Sequence, residues 1–144
     1  MKRYVIKIQY NSPVVLTFAL LALGALGLGI LTDGDTTMRY FSVYRAPLAD
    51  PLTWLRFFSH VLGHADYNHY IGNMLLILVV GPPLEEKYGS RSLLLAIVIT
   101  ALVSGLVQFI FFPGVALLGA SGIVFMMIVM SSLAGMKSRC IPLT

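Results

Sequence analysis

Ser92-Leu93-Leu94-Leu95-Ala96-Ile97-Val98-Ile99-Thr100-Ala101-Leu102-Val103-Ser104-Gly105-Leu106-Val107-Gln108-Phe109-Ile110-Phe111-Phe112 is a run of 21 residues without a charge. A helix needs about 20 predominantly apolar residues to cross the hydrocarbon of a bilayer, where no water can satisfy an open backbone. The run therefore reads as a transmembrane helix. Three more stretches read the same way: about Val14 to Leu31, about His69 to Pro82 and about Gly119 to Gly135. The stretch from His69 is short by itself. It reaches spanning length only if its helix starts near Asp66 or continues through Gly81, Pro82 and Pro83 toward Glu85. Two prolines, each lacking the N–H that the helix ladder uses, make that continuation awkward.

Composition agrees with the runs. The chain has 144 residues, 58% hydrophobic and 11% charged, against about a quarter charged in an ordinary soluble domain. At this length about four or five crossings fit, which excludes a large multi-domain transporter. The expected fold is an all-α, polytopic membrane helical bundle with about four transmembrane helices and a long interfacial first loop. Cys140 is the single cysteine and cannot form an intrachain disulfide, and three histidines with one cysteine cannot build a cysteine-rich zinc module. The net charge of +4 comes from basic residues scattered singly between apolar runs, not gathered on a face for nucleic acid. Met1-Lys2-Arg3 before an apolar run also fits a signal peptide, but no small-residue cleavage site follows Ile30, so the run reads as a retained anchor.

Orientation follows from the basic residues. With the N-terminus cytoplasmic, Lys2, Arg3, Lys7, Lys87, Arg91, Lys137 and Arg139 fall inside, and Arg39, Arg45 and Arg56 outside. The connection from about Thr32 to Tyr67 is much longer than a tight turn, a length that usually signals function or local structure. Its aromatics, Tyr40, Phe41, Tyr44, Trp54, Phe57 and Phe58, interleave with arginines, as suits a segment lying at the membrane interface.

Polar side chains inside spans are costly and mark candidate sites. His69 and Asn73 are four apart and share a helix face; His60 and His64 repeat that spacing upstream. They can serve as interhelical hydrogen-bonding groups or, given histidines at i and i+4, as part of a metal site. Only Asp66 lies nearby to complete one.

The last apolar stretch opens with Gly119-Ala120-Ser121-Gly122. Glycines around a serine allow a sharp turn and close approach, and a serine at a helix N-terminus sits where unpaired N–H groups favour negative charge. Those are the needs of an acyl-transfer nucleophile whose intermediate carries an oxyanion. The same small residues are also a normal packing surface of membrane helices. Topology links the clusters: the second and fourth spans both enter from outside, so His69 and Asn73 share a depth with Ser121.

With these residues in place, the sequence resembles the rhomboid family of intramembrane serine proteases. The resemblance runs from about Trp54 to Gly135, through Arg56-Phe57-Phe58-Ser59-His60, His64, His69, Asn73, Leu84-Glu85-Glu86-Lys87-Tyr88-Gly89-Ser90, Ser104-Gly105-Leu106-Val107-Gln108 and Gly119-Ala120-Ser121-Gly122. It implies that Ser121 is the nucleophile and that His69, Asn73 and the Ser121 backbone N–H form the oxyanion hole. It gives structural roles to His64 and to a loop glutamate, Glu85, and supporting places to Arg56, Gly119, Gly122 and Phe125. It also makes the long first loop a membrane-embedded element beside the site.

The sequence departs from the family pattern in four places. Family members carry a catalytic histidine on a sixth span, and no histidine follows His69 here, so the resemblance makes residues 1–144 a four-span portion with the last two spans missing. Leu55 separates Trp54 from Arg56 where the family joins them; Phe125 stands where tyrosine is common; and Pro82-Pro83 is unusual before the glutamate. The expected function is a rhomboid-type serine endopeptidase cleaving membrane-anchored proteins near the outer bilayer face. The alternatives are a non-catalytic rhomboid-like protein that binds transmembrane clients and, third, a histidine-rich membrane metalloprotein. The expected partners are transmembrane protein substrates and the lipid bilayer, with no nucleic acid and no cofactor. The expected location is the plasma membrane.

Overall fold

A computed structural model describes residues 11–137. Lys2, Arg3, Lys7, Arg139 and Cys140, on which part of the orientation and redox reading rests, lie outside the described residues. The helices are α1 (Pro13–Leu31), α2 (Asp35–Tyr40), α3 (Pro51–Ser59), α4 (Tyr67–Tyr88), α5 (Ser90–Phe111) and α6 (Ser121–Lys137), with a tight helical turn at His60–Leu62 after α3. No named strand occurs among the described residues.

Helix α1 starts without a side-chain cap of its own. Pro13 occupies the first turn, where its missing N–H costs nothing. The next two N–H groups, of Val14 and Val15, donate at 2.9 and 3.0 Å to the two carboxylate oxygens of Glu85. Ser90 Oγ adds a third donor at 2.6 Å. One buried carboxylate at the end of α4 thus satisfies the start of α1 and ties down the start of α5, an arrangement the helix dipole favours. The start of α1, the end of α4 and the start of α5 therefore meet at one end of the bundle.

The second expected span takes both of the extensions that its short apolar stretch left open. Helix α4 runs from Tyr67 to Tyr88, extended at both ends of the His69 to Pro82 stretch and straight through Pro82 and Pro83. Glu85, expected in a loop, is a residue of this helix. Packing outweighs the two lost ladder bonds: Gly81 lies against Val15 and Met127, and Leu84 and Glu85 on the same face are buried against neighbouring helices. Asp66 starts the helix by accepting the His69 N–H at 2.8 Å.

The core is built from small and aliphatic residues at helical spacing: Val15, Ala19 and Ala22 of α1, Met74 and Ile77 of α4, Leu93, Ile97 and Ala101 of α5, Ile123 and Met127 of α6. Tyr70 of α4 donates to the Ala19 carbonyl at 2.9 Å. The outward faces are apolar as well. On α5, Leu95, Val103 and Ile110 are all more than half exposed, where a helix facing water carries polar residues.

Helices α1 and α5 are long and apolar enough to cross a membrane, with mean hydropathy 2.5 and 2.6. The other two expected spans fall short of that standard. Helix α4 is 22 residues long but carries polar groups toward both ends, and α6 has 17 residues.

The long connection between α1 and α4 is folded. Asp50 caps α3 through the Leu52 N–H at 3.0 Å, followed by Pro51 in the first turn. Arg45 donates to the Phe109 and Ile110 carbonyls at 2.8 and 3.1 Å, covering the last turn of α5. Arg56 is buried; its Nε donates to the Arg39 carbonyl at 2.7 Å, and the guanidinium lies 4.6 Å over the Tyr44 ring and 3.7 Å from the Asp50 carboxylate.

Candidate active site

The candidate residues gather where the start of α4 meets the segment leading into α6. That segment is held on two sides. Val43 and Leu117 exchange both backbone hydrogen bonds at 2.9 Å, so the long connection pairs with it as a single antiparallel bridge. The Gly119 N–H donates to the His60 carbonyl at 2.9 Å. The chain then turns at Gly119, where φ is +115°, and enters α6 at Ser121.

Gly119 is required twice over. Its φ lies where L side chains rarely go, and a Cβ there would come within 2.7 Å of His69 Cε1, 2.8 Å of His69 Nε2 and 3.8 Å of Asn73 Nδ2. The imidazole thus fills the space a side chain at this backbone position would take, two residues before Ser121, with the carboxamide just beyond it. Gly122 is different: a Cβ there meets only Thr100 Cγ2 at 4.0 Å, an ordinary contact.

Partner chemistry sets the protonation of the two histidines beside the site. The Leu62 carbonyl, which can only accept, lies 3.1 Å from His64 Nδ1, so that nitrogen carries the proton. His64 Nε2 is then a lone pair, and it takes an N–H of Asn73 Nδ2 at 3.1 Å. Desolvation by burial holds the His64 pKa below the ordinary histidine range, which favours this neutral form. Asn73 keeps a second N–H. For His69 the logic reverses: the Ala65 N–H faces Nδ1 at 3.5 Å, so Nε2, the nitrogen beside Gly119, is the one that carries a proton. The His64 ring packs edge-on against His69 at 5.0 Å and Tyr70 at 5.5 Å, fixing both.

His60 is buried behind this cluster, its Nδ1 bonded to the Arg56 carbonyl at 3.0 Å and Nε2 3.2 Å from Ser104 Oγ. Burial lowers its pKa also.

His64, His69, Asn73 and Gly119 therefore form one cluster. Ser121 starts α6 beside it, exposed and with no side-chain hydrogen bond among the described residues. The first N–H groups of α6 point out of the helix with no ladder partner, the arrangement that receives negative charge. Phe125, one turn further on, is exposed and makes no ring contact among the described residues. Arg56 acts within the long connection, and Glu85 lies at the far end of α4. No group of three or more His, Cys, Asp or Glu able to hold a metal occurs among the described residues.

Sequence reasoning missed Val43, Leu117 and Arg45, which hold the segment before Ser121 and the end of α5 in place. Asp50-Pro51, a capping residue followed by proline, was the available signal that the connection contains a helix.

The Rhomboid domain family matches residues 51–141. Among curated proteins, mouse (Mus musculus) rhomboid-related protein 2 is 36% identical over 86 residues, covering 54% of this chain and 28% of the relative. Rhomboid protease GlpG of Serratia proteamaculans (strain 568) is 33% identical over 92 residues, covering 64% of this chain and 33% of the relative. Rhomboid-like protein 11, chloroplastic, of Arabidopsis thaliana is 32% identical over 85 residues, covering 58% and 30%. The matched part thus spans a third or less of the length of these relatives.

Proposed function

The chain belongs to the rhomboid family, and from that premise we propose that it carries the nucleophile and oxyanion donors of an intramembrane serine endopeptidase. Its substrates are membrane-anchored proteins, cut near the outer bilayer face. The observation that carries this reading is the packing of His69 Nε2 on Gly119, with Asn73 Nδ2 close behind, two residues before a serine that opens a helix.

Ser121 Oγ attacks the scissile carbonyl carbon, forming a C–O bond as its proton leaves to a base. The oxyanion receives the Ser121 backbone N–H, the His69 Nε2–H and the second N–H of Asn73. Collapse breaks the C–N bond, the amine leaves with a proton, and water releases the acyl group. The base comes from outside residues 1–144. His60 and His64 have their ring nitrogens engaged, and His69 presents a proton at the nitrogen facing Gly119, where a base needs a lone pair.

In this proposal α1, α4, α5 and α6 all cross the bilayer of the plasma membrane, with the N-terminus cytoplasmic and the Ser121 end of the bundle outside. A fluorophosphonate probe tests the site. Protein extended to the relatives' length labels at Ser121 and loses labelling in Ser121→Ala. Labelling that survives Ser121→Ala contradicts the assignment by placing the nucleophile elsewhere, and no labelling of the extended protein makes the client-binding alternative the better account.

A further inference from the structure

At the Glu85 end of the bundle, a groove of about 260 Å³ lies between α1 and α5, lined by Pro13, Val14, Thr17, Phe18, Leu21, Leu94 and Ile97. Its lining is apolar, and it opens on the outward face of the two most apolar helices. Arg91, in the first turn of α5, precedes Leu94 by three residues and so lies one turn beyond the groove on the same face of the helix. Arg91 is exposed and makes no ion pair or hydrogen bond among the described residues. Neither glutamate at this end of the bundle pairs with it: Glu86 is exposed and forms no ion pair among the described residues, and Glu85 is occupied. Both oxygens of Glu85 are taken by the Val14 and Val15 N–H groups and Ser90 Oγ. An apolar slot that ends at an unpaired cation matches one chemistry, a hydrocarbon chain that ends in an anion.

We propose that this groove seats one anionic phospholipid, an acyl chain lying between α1 and α5 and the headgroup phosphate on Arg91. The proposal rests on the membrane placement of α1 and α5 and is independent of the role of Ser121. A seated lipid differs from diffuse attraction to a charged surface in depending on a particular residue. Lys87, exposed at the same end in the last turn of α4 and 5.7 Å from the Tyr88 ring, supplies the comparison.

The test uses the full chain in phosphatidylcholine vesicles and reads the motionally restricted fraction of chain-spin-labelled phosphatidylglycerol against equally labelled phosphatidylcholine. Phosphatidylglycerol is expected to be preferred by about fivefold, the effect of one basic residue at an anionic surface. Arg91→Gln removes the preference, Arg91→Lys keeps it, and Lys87→Gln leaves it unchanged. Leu94→Trp, at a half-exposed position in the groove, lowers the restricted fraction of both lipids. Equal restriction of the two lipids overturns the proposal. So does loss of preference in Lys87→Gln as complete as in Arg91→Gln, or the lack of any restricted component, as when another part of the chain fills the groove.

Discussion

Gly119 shows most directly how one residue holds the candidate site. Gly119→Ala places a Cβ at a φ of +115° and within 2.7 Å of the His69 ring. Backbone strain of this kind costs about 1–3 kcal/mol, so the variant is expected to unfold at lower temperature and to lose probe labelling. Gly122→Ala, with room for the methyl, is expected to fold normally. Glu85 acts through charge: Glu85→Ala strands two N–H groups at the start of α1 and is expected to destabilise by roughly 2–3 kcal/mol, the scale of hydrogen bonds to a charged group. Glu85→Gln, which keeps an acceptor, loses less; thermal unfolding in detergent compares the two. His60 and His64 give a pH dependence. Their pKa values are lowered by burial from the ordinary 6.5, so the unfolded chain takes up protons first as pH falls. Stability is full above 6.5 and drains below it, as pH falls toward the lower folded values. His64→Gln, whose carbonyl can still accept from Asn73, is expected to flatten part of that fall in unfolding measurements. The motif around Ser121 was legible in the sequence. The need for Gly119 rather than Gly122 was not, because φ and the approach of His69 exist only in three dimensions.

At the scale of elements, the apolar runs of α1 and α5 were legible because length and hydropathy alone decide them. Helix α4 was legible as a helix but not in its bounds, because prolines argue locally for a stop, whereas the partners that carry the helix past them lie far away in sequence. Val14 is 71 residues from Glu85. The connection before α4 was read as interfacial, and its internal order escaped for a similar reason: Arg45 reaches carbonyls 64 and 65 residues later. That order is testable. Arg45→Ala releases the last turn of α5 beside the Val43–Leu117 bridge. Amide exchange at Val43 and Leu117 is then expected to quicken on the order of tenfold, the factor that matches one charge-assisted hydrogen bond of roughly 1.5 kcal/mol. Unchanged exchange would mean that the bridge stands without the arginine.

For the molecule as a whole, the two ends of the bundle differ in chemistry: Glu85, Lys87 and Arg91 mark one, the histidines, Ser121 and the long connection the other. In the proposed orientation, which follows the basic asymmetry, the second end faces outside. In a Cys140→Ser background, Asp50→Cys is expected to react with an impermeant thiol reagent added to intact cells; reaction only after the membrane is opened reverses the orientation. The proposed catalysis draws on the same end. Removing one oxyanion donor typically costs on the order of 10²-fold, so His69→Ala and Asn73→Ala should each slow cleavage by about that factor. The most direct measurement is the cleavage rate of a membrane-anchored substrate by protein extended to the relatives' length, by its Ser121→Ala variant and by residues 1–144 alone. The account predicts turnover by the extended protein, none in Ser121→Ala and none from residues 1–144. Cleavage that persists in Ser121→Ala, or robust serine-dependent cleavage by residues 1–144, would contradict it.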